Sequence, residues 1–111
     1  MSELALVNPL KHRIESGGLG VCLLIRQART VDLAMAARTC GYDAINLDLE
    51  HSSMSEETCA QICAAALLAG VAPLVRVAGH NWAMAARVLD AGALGVIVPH
   101  IGSAEEARAA V

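Results

Sequence analysis

The chain changes its hydrophobic period at regular intervals, and this constrains its fold more than any single residue does. Short continuous apolar runs of strand length alternate with longer segments of helical length. Helix–strand junctions recur as Cys40-Gly41-Tyr42, Ala69-Gly70-Val71 and Ala91-Gly92-Ala93, each with a glycine where a helix must end and the chain turn back. The runs predict strands at residues 21–25, 44–49, 73–77 and 95–98. A short polar helix is expected at 8–16, broken by Gly17-Gly18. Helices are expected at about 31–39 with Thr30 as N-cap, from Ser55 to Gly70, from Asn81 to Gly92, and from Ser103 onward. Strands that alternate with helices through short connections imply a parallel sheet with right-handed crossovers.

With 111 residues there is room for one modest domain. The chain is 56% hydrophobic, yet it has no Phe, one Trp and one Tyr. Alanine supplies much of that fraction, which suits helices packed closely on a sheet. A net charge of −3 leaves no basic stripe to neutralise phosphates, so nucleic acid is not an expected partner. Residues 58–75 carry no charge, but Gln61, Gly70 and Pro73 interrupt them, and a turn at 69–73 divides them into helix and strand. No membrane span is expected. No basic amino-terminal run leads into an apolar segment, so no signal peptide is read and the expected location is the cytoplasm. Cys22, Cys40, Cys59 and Cys63 form no Cys-x-x-Cys pair and are read as small buried hydrophobes.

Repetition alone does not separate a closed barrel from an open, doubly wound sheet. The strand faces do more. In Ile45-Asn46-Leu47-Asp48-Leu49-Glu50, side-chain alternation puts Asn46, Asp48 and Glu50 on one face and the three apolar residues on the other. An open sheet covered by helices on both faces would bury those polar groups at a cost. A barrel interior lets them approach an active site, and Arg76 within Leu74-Val75-Arg76-Val77 fits the same picture. A parallel (β/α) barrel is the expected fold.

Ligands in parallel α/β folds bind at the carboxyl ends of the strands. Here those ends carry Arg26, then Asp48-Leu49-Glu50-His51, then Arg76, then Pro99-His100. A carboxylate beside an imidazole fixes its tautomer and raises its basicity, so Asp48 and His51 suit a general base near neutral pH. An isolated loop histidine would be read as solvated; its acidic neighbours change that reading. A guanidinium in an apolar strand needs an anion. For Arg76 that is either an internal partner, Asp48 or Glu50, or a small carboxylate or oxyanion of the substrate. Asp90 opposes the macrodipole at a helix carboxyl end and is expected to pair with a cation, Arg87 being one turn back. His80 and His100 are read as solvated loop residues. His12 lies on a polar helix and suggests nothing. Glu105 and Glu106 suit a helix amino terminus.

Three stretches, Tyr42 through His51, Pro73 through Val77 and Val88 through Pro99, together with Ser103-Ala104-Glu105-Glu106-Ala107-Arg108, resemble the HpcH/HpaI aldolase family. The resemblance covers residues 20–111. It implies a (β/α)8 barrel that reversibly cleaves 2-keto-3-deoxy sugar acids or related 4-hydroxy-2-oxo acids to pyruvate and an aldehyde. It also implies a divalent cofactor, Mg2+, Mn2+ or Co2+, that stabilises the pyruvate enolate. By motif, His51 would move the 4-hydroxyl proton through water, Asp48 would orient His51, and Arg76 would bind the pyruvate oxygens. Glu50 would lie near the metal's water shell, and Asp90 near a subunit contact of a homo-oligomer.

The family's metal-binding glutamate and aspartate belong to later strands, so no metal ligand is expected within residues 1–111. These residues are expected to form the first four β-α units, incomplete and inactive alone. Two other readings compete. One is a citrate-lyase-type subunit acting on acyl-CoA substrates, disfavoured by the Asp-x-Glu-His arrangement. The other is a non-catalytic half-barrel module that completes itself by dimerising or by binding a partner.

Overall fold

The computed structural model describes residues 6–111. Its elements follow in the order α1 (Pro9–Glu15), β1 (Cys22–Ile25), α2 (Asp32–Thr39), β2 (Ala44–Asp48), α3 (Glu56–Ala69), β3 (Ala72–Arg76), α4 (Trp82–Asp90), β4 (Gly95–Ile97) and α5 (Ala104–Ala110). All strand pairs are parallel, and the sheet order is β1-β2-β3-β4. A doubly wound sheet reverses its strand order at a switch point. This one runs in a single direction, as strands do in a barrel wall. The fold is α/β, of the parallel TIM-barrel type, with four β-α units and a short N-terminal helix.

Helix ends follow local chemistry. The side chains of Asn8, Ser55, Asn81 and Ser103 each accept a hydrogen bond from the backbone N–H three residues on, capping α1, α3, α4 and α5. The start of α2 departs from expectation. Its N-cap is Val31 in helical conformation with no side-chain cap, and the turn is closed by the carbonyls of Thr30 and Val31. The uncharged stretch at 58–75 divides at Gly70, the left-handed C-cap of α3, as expected. Among the described residues no helix is long and apolar enough to cross a membrane.

The core lies between one sheet face and helices α2, α3 and α4. Ile25, Ile45, Leu47, Val75 and Val77 meet Ala34, Ala37, Ile62, Cys63, Ala66 and Val88 there. Alanines at these contacts let helix backbones come close, which explains a dense core that uses almost no aromatic residues. Cys59 and Cys63 belong to it, whereas Cys22 and Cys40 are exposed, so only half of the cysteines are buried hydrophobes. The hydrogen bond with the Cys59 thiol, with burial behind it, pushes the Cys63 thiol up. An ion pair joins α3 to α4. Arg87 donates to Glu56 from Nε at 2.7 Å and from Nη2 at 2.8 Å, holding that carboxyl below its ordinary range. Arg87 therefore does not serve Asp90, which makes no ion pair among the described residues.

The opposite sheet face carries Leu24, Asn46 and Leu74 in one register row and Asp48, Arg76 and Ile97 in the next. Leu24 and Ile97 remain 47% and 36% exposed. Helices α2 to α4 thus cover one face only, and the polar residues of β2 lie on the other. Gly95 occupies the first row because a Cβ there would stand 2.8 Å from Leu74 Cδ2.

Gly92 ends the α4 junction at φ 116°, and a Cβ would sit 3.1 Å from Leu67 Cδ1. Gly92→Ala should lose about 1–3 kcal/mol of stability in urea melts, the usual cost of a side chain in such backbone. Gly102→Ala, where nothing lies within 4 Å, should stay within about 0.5 kcal/mol of the parent.

Candidate active site at the carboxyl ends of the strands

Asp48 is the last residue of β2, and its side chain is fully buried. A buried carboxylate needs donors on both oxygens, and the sheet supplies them. Arg76 is its register partner on β3. It donates from Nε to Oδ1 at 3.1 Å and from Nη2 to Oδ2 at 2.5 Å. From the end of β1, Arg26 Nε donates to Oδ2 at 2.9 Å. The backbone N–H groups of Glu50 and His51 donate to Oδ1 at 2.9 and 3.1 Å. The Arg76 guanidinium, with the amides and Arg26 behind it, holds the Asp48 carboxyl far below the ordinary carboxylate range against the opposing effect of burial. Asp48 in turn raises the Arg76 pKa.

The loop after β2 is tied to the same residue. Ser52 Oγ donates to the Asp48 carbonyl and accepts from the Met54 N–H. Arg29 adds a bond from Nη2 to Ser53 Oγ at 3.0 Å. Asp48 therefore fixes the path of residues 49–54 through main-chain contacts. The expected contact between its carboxylate and the His51 imidazole is absent, because both oxygens are taken by guanidinium and amide groups. The imidazole lies beside Glu50 instead, with Nε2 3.7 Å from Oε2.

Glu50 is the centre of the exposed rim. Its Oε2 also stands 3.8 Å from Arg76 Nε, and its Oε1 is 2.6 Å from His100 Nε2. Oε2 is buried with no hydrogen-bond donor among the described residues, as is Asn46 Oδ1 lower on the same face. Arg76 and His51 thus flank one carboxylate oxygen at the carboxyl end of the sheet.

His100 is not the solvated loop residue that the sequence suggests. Its side chain is exposed, but its ring is bonded to Glu50, and its backbone takes a left-handed φ of 58°. The available signal was its place at the carboxyl end of β4. His80 is not merely solvated either. Its Nε2 lies 3.0 Å from the Pro99 carbonyl, and its ring stacks on Trp82 at 5.7 Å. That contact ties the loop after β3 to the loop that carries His100. A cavity of about 370 Å3 lies at the β1 edge, lined by residues 23–28 and Leu33, and it touches the rim only through Arg26. It marks the open sheet edge rather than the cluster.

Four β-α units bring a paired carboxylate, arginines and histidines together at the carboxyl ends of the strands, where parallel barrels bind their ligands. The chain belongs to the HpcH/HpaI aldolase/citrate lyase family, whose model matches residues 23–111. It is 39% identical over 109 residues to the 4-hydroxy-4-methyl-2-oxoglutarate aldolase tasA of Hapsidospora irregularis, covering 97% of this chain and 40% of that one. An HpcH/HpaI aldolase structure from Desulfitobacterium hafniense DCB-2 matches with a TM-score of 0.89 at 28% identity, over 95% of this chain and 40% of the other. The citrate synthase SbnG structure matches with a TM-score of 0.86 at 31% identity, over 95% and 42%. The chain spans about two fifths of the length of these relatives.

Aldolases of this family generally depend on a divalent metal. Among the described residues one group of three could hold an ion: Glu50, His51 and His100, with ligand atoms within 4.8 Å of one another. One carboxylate and two imidazoles do not fit Mg2+, which demands oxygen ligands in near-octahedral array. This cluster is not a Mg2+ site.

Asp48→Ala should cost about 3–5 kcal/mol in chemical denaturation, because it leaves Arg76 without its buried partner. Arg26→Ala removes a side chain that is 47% exposed and should cost less than about 1 kcal/mol. Equal losses would show that the buried pair is not the anchor.

Proposed function

We propose that this chain supplies the base and the anion-binding half of a carbon–carbon lyase. The reaction is reversible aldol cleavage of a 4-hydroxy-2-oxo acid, of the 2-keto-3-deoxy sugar acid or 4-hydroxy-4-methyl-2-oxoglutarate type, to pyruvate and a carbonyl product. The observation that carries this reading is the pair of distances to one oxygen: His51 Nε2 at 3.7 Å and Arg76 Nε at 3.8 Å from Glu50 Oε2. A proton acceptor and a cation stand together at the strand ends, within reach of one small substrate.

In this reading His51, with its side chain 57% exposed, takes the proton of the substrate 4-hydroxyl directly or through one water. As the C4 carbonyl forms, the C3–C4 bond breaks and its electron pair moves into the pyruvate enolate, which then takes a proton at C3. Arg76 keeps Nη1 without a hydrogen bond among the described residues, since Nε and Nη2 are committed to Asp48. Nη1 is its free donor for a substrate carboxylate or the enolate oxygen. Asp48 acts as a positioning residue, fixing Arg76 by its side chain and His51 by its main chain. Glu50 holds His51 and His100 at the rim.

The family's Mg2+, Mn2+ or Co2+ would supply charge stabilisation to the enolate, on carboxylates that the resemblance puts after Val111. Exposed apolar residues on the uncovered face, Leu24 and Ile97, favour action within a longer polypeptide or a homo-oligomer. The likeness to a citrate synthase supports a second reading, carbon–carbon bond chemistry on a citrate-type substrate.

Pyruvate release from 4-hydroxy-4-methyl-2-oxoglutarate with Mn2+ should be absent for the 111-residue chain and present for a polypeptide extended to its relatives' length. His51→Ala in the extended protein should lower kcat by about 10²–10⁴-fold with circular dichroism unchanged. Turnover by the short chain would overturn its proposed incompleteness. Full activity in His51→Ala would overturn the assignment of the base, and citrate-type products in place of pyruvate would favour the second reading.

A further inference from the structure

The donor set that excludes Mg2+ suits a different ion. We propose that Glu50, His51 and His100 form a binding site for a borderline divalent cation such as Zn2+, distinct from any all-oxygen magnesium site. Zn2+ takes imidazole nitrogen and carboxylate oxygen at about 2.0–2.2 Å, and three protein ligands leave a fourth position open. Those bond lengths put neighbouring ligand atoms roughly 3.3 Å apart in a tetrahedron. The present separations are 2.6 Å from His100 Nε2 to Glu50 Oε1 and 3.7 Å from His51 Nε2 to Glu50 Oε2, and one ligand atom from each residue lies within 4.8 Å of the others, so the imidazoles must shift to close on an ion.

Three features of the cluster favour a ligand there. Among the described residues nothing donates a hydrogen bond to the buried Glu50 Oε2, so one lone-pair site in a low-dielectric surrounding lacks a donor there. Glu50 itself is held in place, 11% exposed, so the carboxylate is a fixed ligand rather than a mobile surface group. The backbone of His100 takes a left-handed conformation unusual for a side-chain-bearing residue, and the result is an imidazole directed at Glu50. Both imidazoles are exposed, with side chains 57% and 69% accessible, and can close on an ion by small rotations.

Arg76 is the nearest opposing charge, with Nε 3.8 Å from Glu50 Oε2. Asp48 sets one negative charge against the two guanidiniums of Arg26 and Arg76, so one net positive charge remains beside Glu50 and opposes the cation. An ion here would occupy the His51 lone pair that the aldol reading assigns to proton transfer. On that reading the site is inhibitory, but binding itself requires no turnover.

Zn2+ titrated calorimetrically into the 111-residue chain should bind at one ion per chain. His51→Ala and His100→Ala alter exposed side chains and should keep the fold by circular dichroism. Each should weaken binding by about 100-fold or more, at least the upper range for losing a group outside the ligand set. Excess Mg2+ should not compete. No stoichiometric Zn2+ binding would overturn the proposal, as would affinity unchanged in His100→Ala, which would place the ion on other residues such as exposed Cys22 or Cys40. Equal competition by Mg2+ would also overturn it. Because the readout is heat rather than pyruvate, failure of this proposal leaves the aldol reading standing, and failure of the aldol reading leaves this one standing.

Discussion

The buried carboxylate of Asp48 is the constraint from which the rim of this structure follows. A charge with no solvent exposure has to find donors, and here it finds five hydrogen bonds from two strand ends and one loop. Two of the donors are guanidinium groups that β1 and β3 bring to the same level. Two more are the amides that begin the loop after β2. One side chain therefore sets the height of Arg76, the position of Arg26 and the turn that delivers Glu50 and His51 to the open end. A longer carboxylate would not substitute simply, since the oxygens must reach Arg76 in the same register row and the amides two and three residues ahead.

That arrangement separates two jobs which the sequence assigns to one residue. Asp48 is saturated, so it supports the site without touching the imidazole. Glu50 is unsaturated, half committed to His100 and facing His51 and Arg76 at longer range. The exposed rim keeps its chemical freedom because the layer beneath it is fully paired. The face that carries this rim has no helix of α2 to α4 upon it, and its apolar residues Leu24 and Ile97 stay partly open. The other face is closed by alanine-lined helices. The asymmetry agrees with a barrel wall, one side packed and one side turned to an interior.

Much of this was legible in the sequence because each element announced itself by an independent local signal. The caps Ser55, Asn81 and Ser103 and the glycines at 41, 70 and 92 marked helix ends, and uninterrupted apolar runs marked strands. Helix α2 lacks a side-chain cap, so the sequence points to Thr30 as its N-cap where the backbone has Val31. Alternation along 45–50 placed the polar face of β2. The partner of each charge was harder to read. Arg87 reaches across to Glu56 on the neighbouring helix, which no spacing within α4 reveals. Parallel register pairs Asp48 with Arg76, but that register depends on how two strands are aligned by the helix between them. His100 joins the cluster through a backbone angle that nothing in Pro99-His100-Ile101 foretells.

The account rests on energetic coupling between Asp48 and Arg76, and a double-mutant cycle measures it directly. Asp48→Asn, Arg76→Gln and the double variant would be compared with the parent by denaturant unfolding. The account predicts a coupling energy of about 2 kcal/mol or more, at the upper end for groups that share a network. A coupling below about 0.5 kcal/mol, the range of independent sites, would contradict it.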